Sequence, residues 1–175
     1  MKLSIIRIGL KGVRRDFLLI AVLLFVAAFF RFFSIDDFQY WSDDEQLMWF
    51  IIRHIVLDHH PSLVTPNVAT GLGLGSLYHL LVAPWYAVTN FQPEKLTLLG
   101  SVFAFLSVLT IYWCGKILGG RAVGFSAGFL YAASFMSALF DRRLWALSPN
   151  VFLFSLGIIG LFKIINGNSK YIYFL

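Results

Sequence analysis

Read from the first residue, the chain separates long apolar runs from polar stretches instead of mixing the two. Residues 17–35 are almost wholly apolar. A helix needs about 20 such residues to cross the hydrocarbon of a bilayer. Three further runs of this kind cover 96–114, 122–140 and 150–167. Between the first and second runs, residues 34–70 carry six acids (Asp36, Asp37, Asp43, Asp44, Glu45 and Asp58) and one arginine, Arg53.

Within that interval Ser42-Asp43-Asp44-Glu45 has the spacing of a capping box. There the serine and the glutamate satisfy each other's backbone N–H groups at a helix start. The pattern predicts a helix over 43–57 with Leu47, Phe50, Ile51 and Ile55 on one face. With Trp41 and Trp49 beside it, it reads as an amphipathic helix on the outer membrane surface. Pro61 and Pro66 break regular structure after it. Residues 76–90 are apolar but short, and His79 and Pro84 interrupt them. Such a segment reads as re-entrant or interfacial. The predicted fold class is therefore an all-α integral membrane protein: several transmembrane helices, with an extracytoplasmic amphipathic helix after the first.

Composition agrees with that pattern. Charged residues are 13% and apolar residues 59% of the 175. A soluble domain carries about 25% charged residues to cover its surface. The net charge of +5 would raise nucleic acid as a partner. However, Lys2, Arg7, Lys11, Arg14 and Arg15 all precede the first apolar run. That distribution is a positive-inside signal, which places the N-terminus in the cytoplasm of a cell-membrane protein and makes lipid, not nucleic acid, the partner. No small-x-small cleavage site follows the first run, so it reads as an uncleaved anchor. Whether 76–90 crosses divides the 14 cations nine inside and five outside, or eight and six, which is nearly even. The single Cys114 can form no internal disulfide.

Candidate chemistry gathers outside the apolar runs. Three adjacent carboxylates, Asp43, Asp44 and Glu45, repel one another, which raises the pKa of at least one. Such a group acts as a general base toward a hydroxyl or holds a divalent cation through oxygen, with Asp43 and Asp44 as the metal candidates. The same acids also suit the positive end of a helix dipole. Arg142 and Arg143 offer guanidinium forks that match phosphate oxygens, or anchor to lipid headgroups. Tyr78 and His79 are the polar groups of the short apolar segment and the candidate substrate-binding pair, since polar groups at membrane depth are costly; a lone histidine there is more often a hydrogen-bonded interfacial residue. Asp58, His59 and His60 lack a third metal ligand at helical spacing.

The order of these features resembles the GT-C glycosyltransferases. Its nearest groups are the protein mannosyltransferase type (glycosyltransferase family 39) and the ArnT aminoarabinose transferase type. The resemblance rests on Trp41-Ser42-Asp43-Asp44-Glu45 and on Gly73-Leu74-Gly75-Ser76-Leu77-Tyr78-His79-Leu80. It rests also on the Gly115–Arg121 stretch as a short basic loop and on Arg142-Arg143-Leu144-Trp145 with Pro149 and Asn150 as an outer loop. It implies Asp44 as the catalytic carboxylate, assisted by Glu45. It implies a sugar donor on polyprenyl phosphate and transfer to a lipid, glycan or protein acceptor on the extracytoplasmic side. Serine at 76 and histidine at 79 depart from the family's pattern. The family's chains are several hundred residues long, so this chain is expected to be an N-terminal part of one. The rival expectation is a non-enzymatic small multi-pass membrane protein, such as a transporter subunit or assembly partner.

Overall fold

The computed structural model describes residues 2–35, 42–59, 64–65, 74–75, 77–143 and 149–166. Trp41, Gly73, Ser76 and Leu144 to Ser148 of the motifs above lie outside the described residues, as do His60, Pro61 and Pro66. Six helices make up the described fold: α1 Lys2–Phe32, α2 Asp43–Leu57, α3 Leu77–Val88, α4 Pro93–Ala133, α5 Phe135–Asp141 and α6 Asn150–Ile165. A two-residue antiparallel ribbon, β1 Val64–Thr65 with β2 Leu74–Gly75, joins α2 to α3; Val64 faces Gly75 and Thr65 faces Leu74.

The long α4 is two antiparallel arms. Its backbone leaves helical values at Gly119 (φ −145°) and Gly120 (φ +83°), the second a left-handed conformation that favours glycine. The arms then run back to back at a distance only glycine permits. A Cβ on Gly124 would lie 2.5 Å from the carbonyl oxygen of Tyr112, and one on Gly115 would lie 2.8 Å from the Cα of Gly124. This turn falls in the stretch expected to be a basic loop. The second arm does not continue through 140 as expected. It stops at Ser134, whose extended backbone breaks the helix and whose side chain accepts the Ser137 N–H to start α5.

The first core lies between α1 and the two arms of α4. Leu23 and Ala27 pack there on Val108, Tyr112 and Ala132. α6 lies along the first arm, where Ser155 meets Thr110 (Oγ to Oγ1 2.6 Å) and its carbonyl accepts from Cys114 Sγ at 3.2 Å. A second core joins α2 to α3 through Ile52, Val82, Ala83 and Tyr86, with Leu99 of α4 packed against it. The buried face of α2 is Glu45, Met48 and Ile52. The expected face, Leu47-Phe50-Ile51-Ile55, is therefore rotated: Ile55 packs on this core, but Phe50 points outward. The apolar count misled because Glu45 is buried on the strength of its partners.

These contacts give the bundle two ends. At one end Asp16 of α1 meets Lys116 and Arg121 beside the Gly119-Gly120 turn. At the other, Arg31 of α1 meets Asp141 of α5. α1 runs from the first end to the second, and the first arm of α4 runs back. Residues 34–92 thus begin and end at the second end. Among the described residues one helical stretch, Thr97–Ala133 counted across the Gly119-Gly120 turn, is long and apolar enough to cross a membrane by length and composition; Asn150–Ile165 is a shorter apolar helix.

Candidate functional site

The second end of the bundle gathers most of the sequence's candidate residues. α2 opens there. The backbone N–H of Ser42 donates to Glu45 Oε2 at 2.9 Å, and the Ser42 hydroxyl contacts the same oxygen. The other carboxylate oxygen, Oε1, accepts from Arg143 Nε at 2.6 Å, while Arg143 Nη2 reaches Ser42 Oγ at 3.3 Å. One capping motif is thereby bonded to an arginine 98 residues further along the chain. The two candidate clusters, Asp43-Asp44-Glu45 and Arg142-Arg143, form one site.

The two acids that precede Glu45 differ from it in environment. The Glu45 side chain is fully buried, whereas Asp43 and Asp44 are exposed in the first turn. Burial alone raises a carboxyl pKa. At Glu45 the hydrogen bonds from Arg143 and Ser42 outweigh it and hold the carboxyl below its ordinary value. The raised carboxyl expected from mutual repulsion is therefore not Glu45. Asp44 stands one residue from that fixed pair with its carboxylate open to solvent.

Arg142 is engaged differently. Its Nη2 donates to the carbonyl oxygens of Phe30 (2.7 Å) and Phe33 (2.8 Å). Those carbonyls lie in the last turn of α1 and just past its end, where intrahelical donors run out. Beside it lies an apolar cleft of about 240 Å³ lined by Phe29, Phe30, Phe33, Phe135, Ala138, Leu139 and Arg142. A cleft of that size and lining suits hydrocarbon rather than a sugar.

Among the described residues, neither Tyr78 nor His79 has a hydrogen bond or ring contact to Asp43, Asp44, Glu45, Arg142 or Arg143. His79 is buried between α3 and α2, with Nε2 2.9 Å from Met48 Sδ and no hydrogen-bond partner for Nδ1 among the described residues. Burial lowers its pKa and raises that of the Tyr78 hydroxyl. Among the described residues no group of three or more His, Cys, Asp or Glu could hold a metal ion. At Asp43 and Asp44 there are two exposed carboxylates and, among the described residues, no third ligand.

Sequence reading missed Arg31. It sits in the first apolar run, yet its guanidinium is fully buried and bonded three ways: to Ala132 O (3.0 Å), Tyr131 O (3.1 Å) and Asp141 Oδ2 (3.0 Å). Tyr131 stacks its ring at 4.8 Å from the guanidinium and donates its hydroxyl to Asp141. The signal available in the sequence was the charge itself. A lone arginine near the end of an apolar run requires a partner, and Asp141 is the acid at the end of another.

Compared with protein-family models, curated proteins and solved structures, the chain matches none of them.

Proposed function

We propose that the chain is part of a membrane-embedded glycosyltransferase of the GT-C type, acting at the end of the bundle that holds Asp44, Glu45 and Arg143. The observation that carries this reading is the 2.6 Å contact of Arg143 with Glu45. It gathers a solvent-open carboxylate and two arginines at one place, the set that a sugar transfer from a phosphate-linked donor requires.

In this reading Asp44 takes the proton from an acceptor hydroxyl or amine. The acceptor attacks the anomeric carbon, the bond from that carbon to the phosphate oxygen breaks, and configuration inverts. Polyprenyl phosphate leaves with the bonding electrons, its charge met by Arg143 and by Arg142 behind it. Glu45 acts as a positioning residue: it fixes Arg143 and the start of α2, and so the direction of Asp44. The adjoining apolar cleft receives part of the donor's isoprenoid chain. A divalent cation would bind through Asp43 and Asp44 with oxygen ligands from the donor.

Membrane embedding is supported by the outer surface of the bundle. Phe25, Leu130 and Phe154 are each more than 70% exposed, on three different helical segments. Exposed large apolar side chains recur on every helix, and water-soluble monomers rarely present extended apolar patches. The geometry also supports the non-crossing path for 76–90: α1 leaves from, and α4 returns to, the end opposite the N-terminal cations. With the N-terminus cytoplasmic, the site is extracytoplasmic.

The test is release of polyprenyl phosphate from a polyprenyl-phosphate hexose by membranes containing the protein. Asp44→Asn is expected to abolish release while membrane insertion is unchanged. Normal release by that variant rejects the assignment of the base, and no release by the wild type favours the non-enzymatic reading. One observation favours that second reading: Arg142 Nη2 donates to two carbonyls at the end of a helix, as in a structural partner.

A further inference from the structure

The opposite end of the bundle has no part in the proposed chemistry, yet it is built as a surface. Asp16 accepts from Lys116 Nζ (2.7 Å), Arg121 Nε (2.6 Å) and the Tyr112 hydroxyl (2.9 Å). One carboxylate thus stands against two cations, and the neighbouring Arg15 is exposed, which leaves three cations to one anion. Lys2, Arg7, Lys11 and Arg14 extend α1 beyond this point with the same sign. The turn itself is apolar: Ile117, Leu118 and Val123 are exposed beside Gly119 and Gly120. Trp113 is 41% exposed, with the Lys116 ammonium 4.3 Å from its ring centroid.

An apolar tip, an interfacial tryptophan and a rim of unbalanced cations together match a lipid leaflet bearing negative headgroups. A soluble polyanion would use the cations but leave Ile117 and Leu118 without a role. We propose that this end is a docking surface for anionic phospholipid. Arg15 and the outward sides of Lys116 and Arg121 hold the headgroup phosphate, and Ile117 and Leu118 lie among the acyl chains. Asp16 limits the attraction by occupying part of the capacity of both partners. The inference rests on the reading that the bundle spans a membrane.

The experiment is a titration of the purified protein in neutral detergent with dioctanoyl-phosphatidylglycerol or dioctanoyl-phosphatidylcholine, followed by native mass spectrometry. The anionic lipid is expected to bind more tightly, and the preference to shrink as salt rises. The double variant Arg15→Gln/Arg121→Gln is expected to lose roughly fivefold in that preference for each cation removed. Asp16→Asn is expected to bind the anionic lipid more tightly than the wild type. Equal binding of the two lipids by the wild type, or an unchanged preference in the double variant, overturns the proposal. Displacement of the lipid by inorganic phosphate at equal concentration overturns it too, since the surface would then be a soluble-anion site. Extraction of membranes with alkaline carbonate separates the two readings: a protein released by it refutes the spanning bundle and the surface together, while a retained protein without lipid preference refutes the surface alone.

Discussion

The two ends of the bundle use the same chemistry under opposite conditions. At one, Asp16 binds Lys116 and Arg121 where all three side chains reach solvent. At the other, Arg31 binds Asp141 with a guanidinium wholly out of solvent. An exposed ion pair contributes at most about 1 kcal/mol, because water already solvates its members. A buried one is a poor source of stability in itself, but losing one partner leaves a charge stranded. The solvent-exposed end can therefore tolerate exchange of its partners, and the buried end cannot. Four substitutions test that contrast, in order of expected size.

Arg31→Met should cost about 3–5 kcal/mol in denaturant unfolding, since it strands Asp141 and the carbonyls of Tyr131 and Ala132. The double variant Arg31→Met/Asp141→Leu should recover part of that loss; a double variant as unstable as the sum of both singles would show that the pair is not one unit. Gly124→Ala should cost about 1–3 kcal/mol, because its Cβ would meet the carbonyl of Tyr112, which belongs to the backbone and cannot swing aside. It lies beside the Asp16 end, close after the Gly119-Gly120 turn and against Lys116, and sets the scale for a purely steric loss.

Glu45→Gln should cost about 1.5 kcal/mol, the low end of the range for hydrogen bonds to a charged group, since glutamine keeps one acceptor oxygen. Its signature is in pH. The folded pKa of Glu45 lies below its ordinary value of 4.5, so its contribution is complete above that value and is lost as pH falls toward the folded pKa. Melting temperatures of the variant should be flatter than wild type below pH 4.5, and parallel curves would contradict the buried pair. Asp16→Asn should be the smallest change, about 0.5 kcal/mol. The hydrogen bond from Lys116, with those from Arg121 and Tyr112, lowers the Asp16 carboxyl to about 2, against some opposition from burial. Its share of stability is present above 3.8 and disappears as pH falls from there through about 2, which acid titration of helicity can follow.

The helices were largely legible in the sequence because each has a local cause. The Ser42-to-Glu45 spacing marked the first residue of α2, and the Gly115–Arg121 stretch, read as a short basic loop, contains the turn, which narrows to Gly119 and Gly120. What the sequence hid were relations across distance. Arg31 and Asp141 stand 110 residues apart, and neither carries a spacing that names the other. The burial of Glu45 was hidden for the same reason, since its partner is Arg143. The break at Ser134 was missed because apolar residues on both sides read as one run. His79 read as a binding residue because it is polar among apolar neighbours, but its packing on Met48 turns it inward.

The two buried arginines cross between helices. Arg31 leaves α1 to close the end of the second arm of α4, and Arg142 leaves the end of α5 to close α1. Each guanidinium is a key cut for the other segment's last carbonyls. A slide of α1 along its axis by one residue, about 1.5 Å, or a twist of about 100° would withdraw both keys at once. The first helix is thus locked in depth and in rotation against the α4–α5 junction. A pull on its N-terminus would move it with α5 and Arg143 as one rigid piston, without slipping between them.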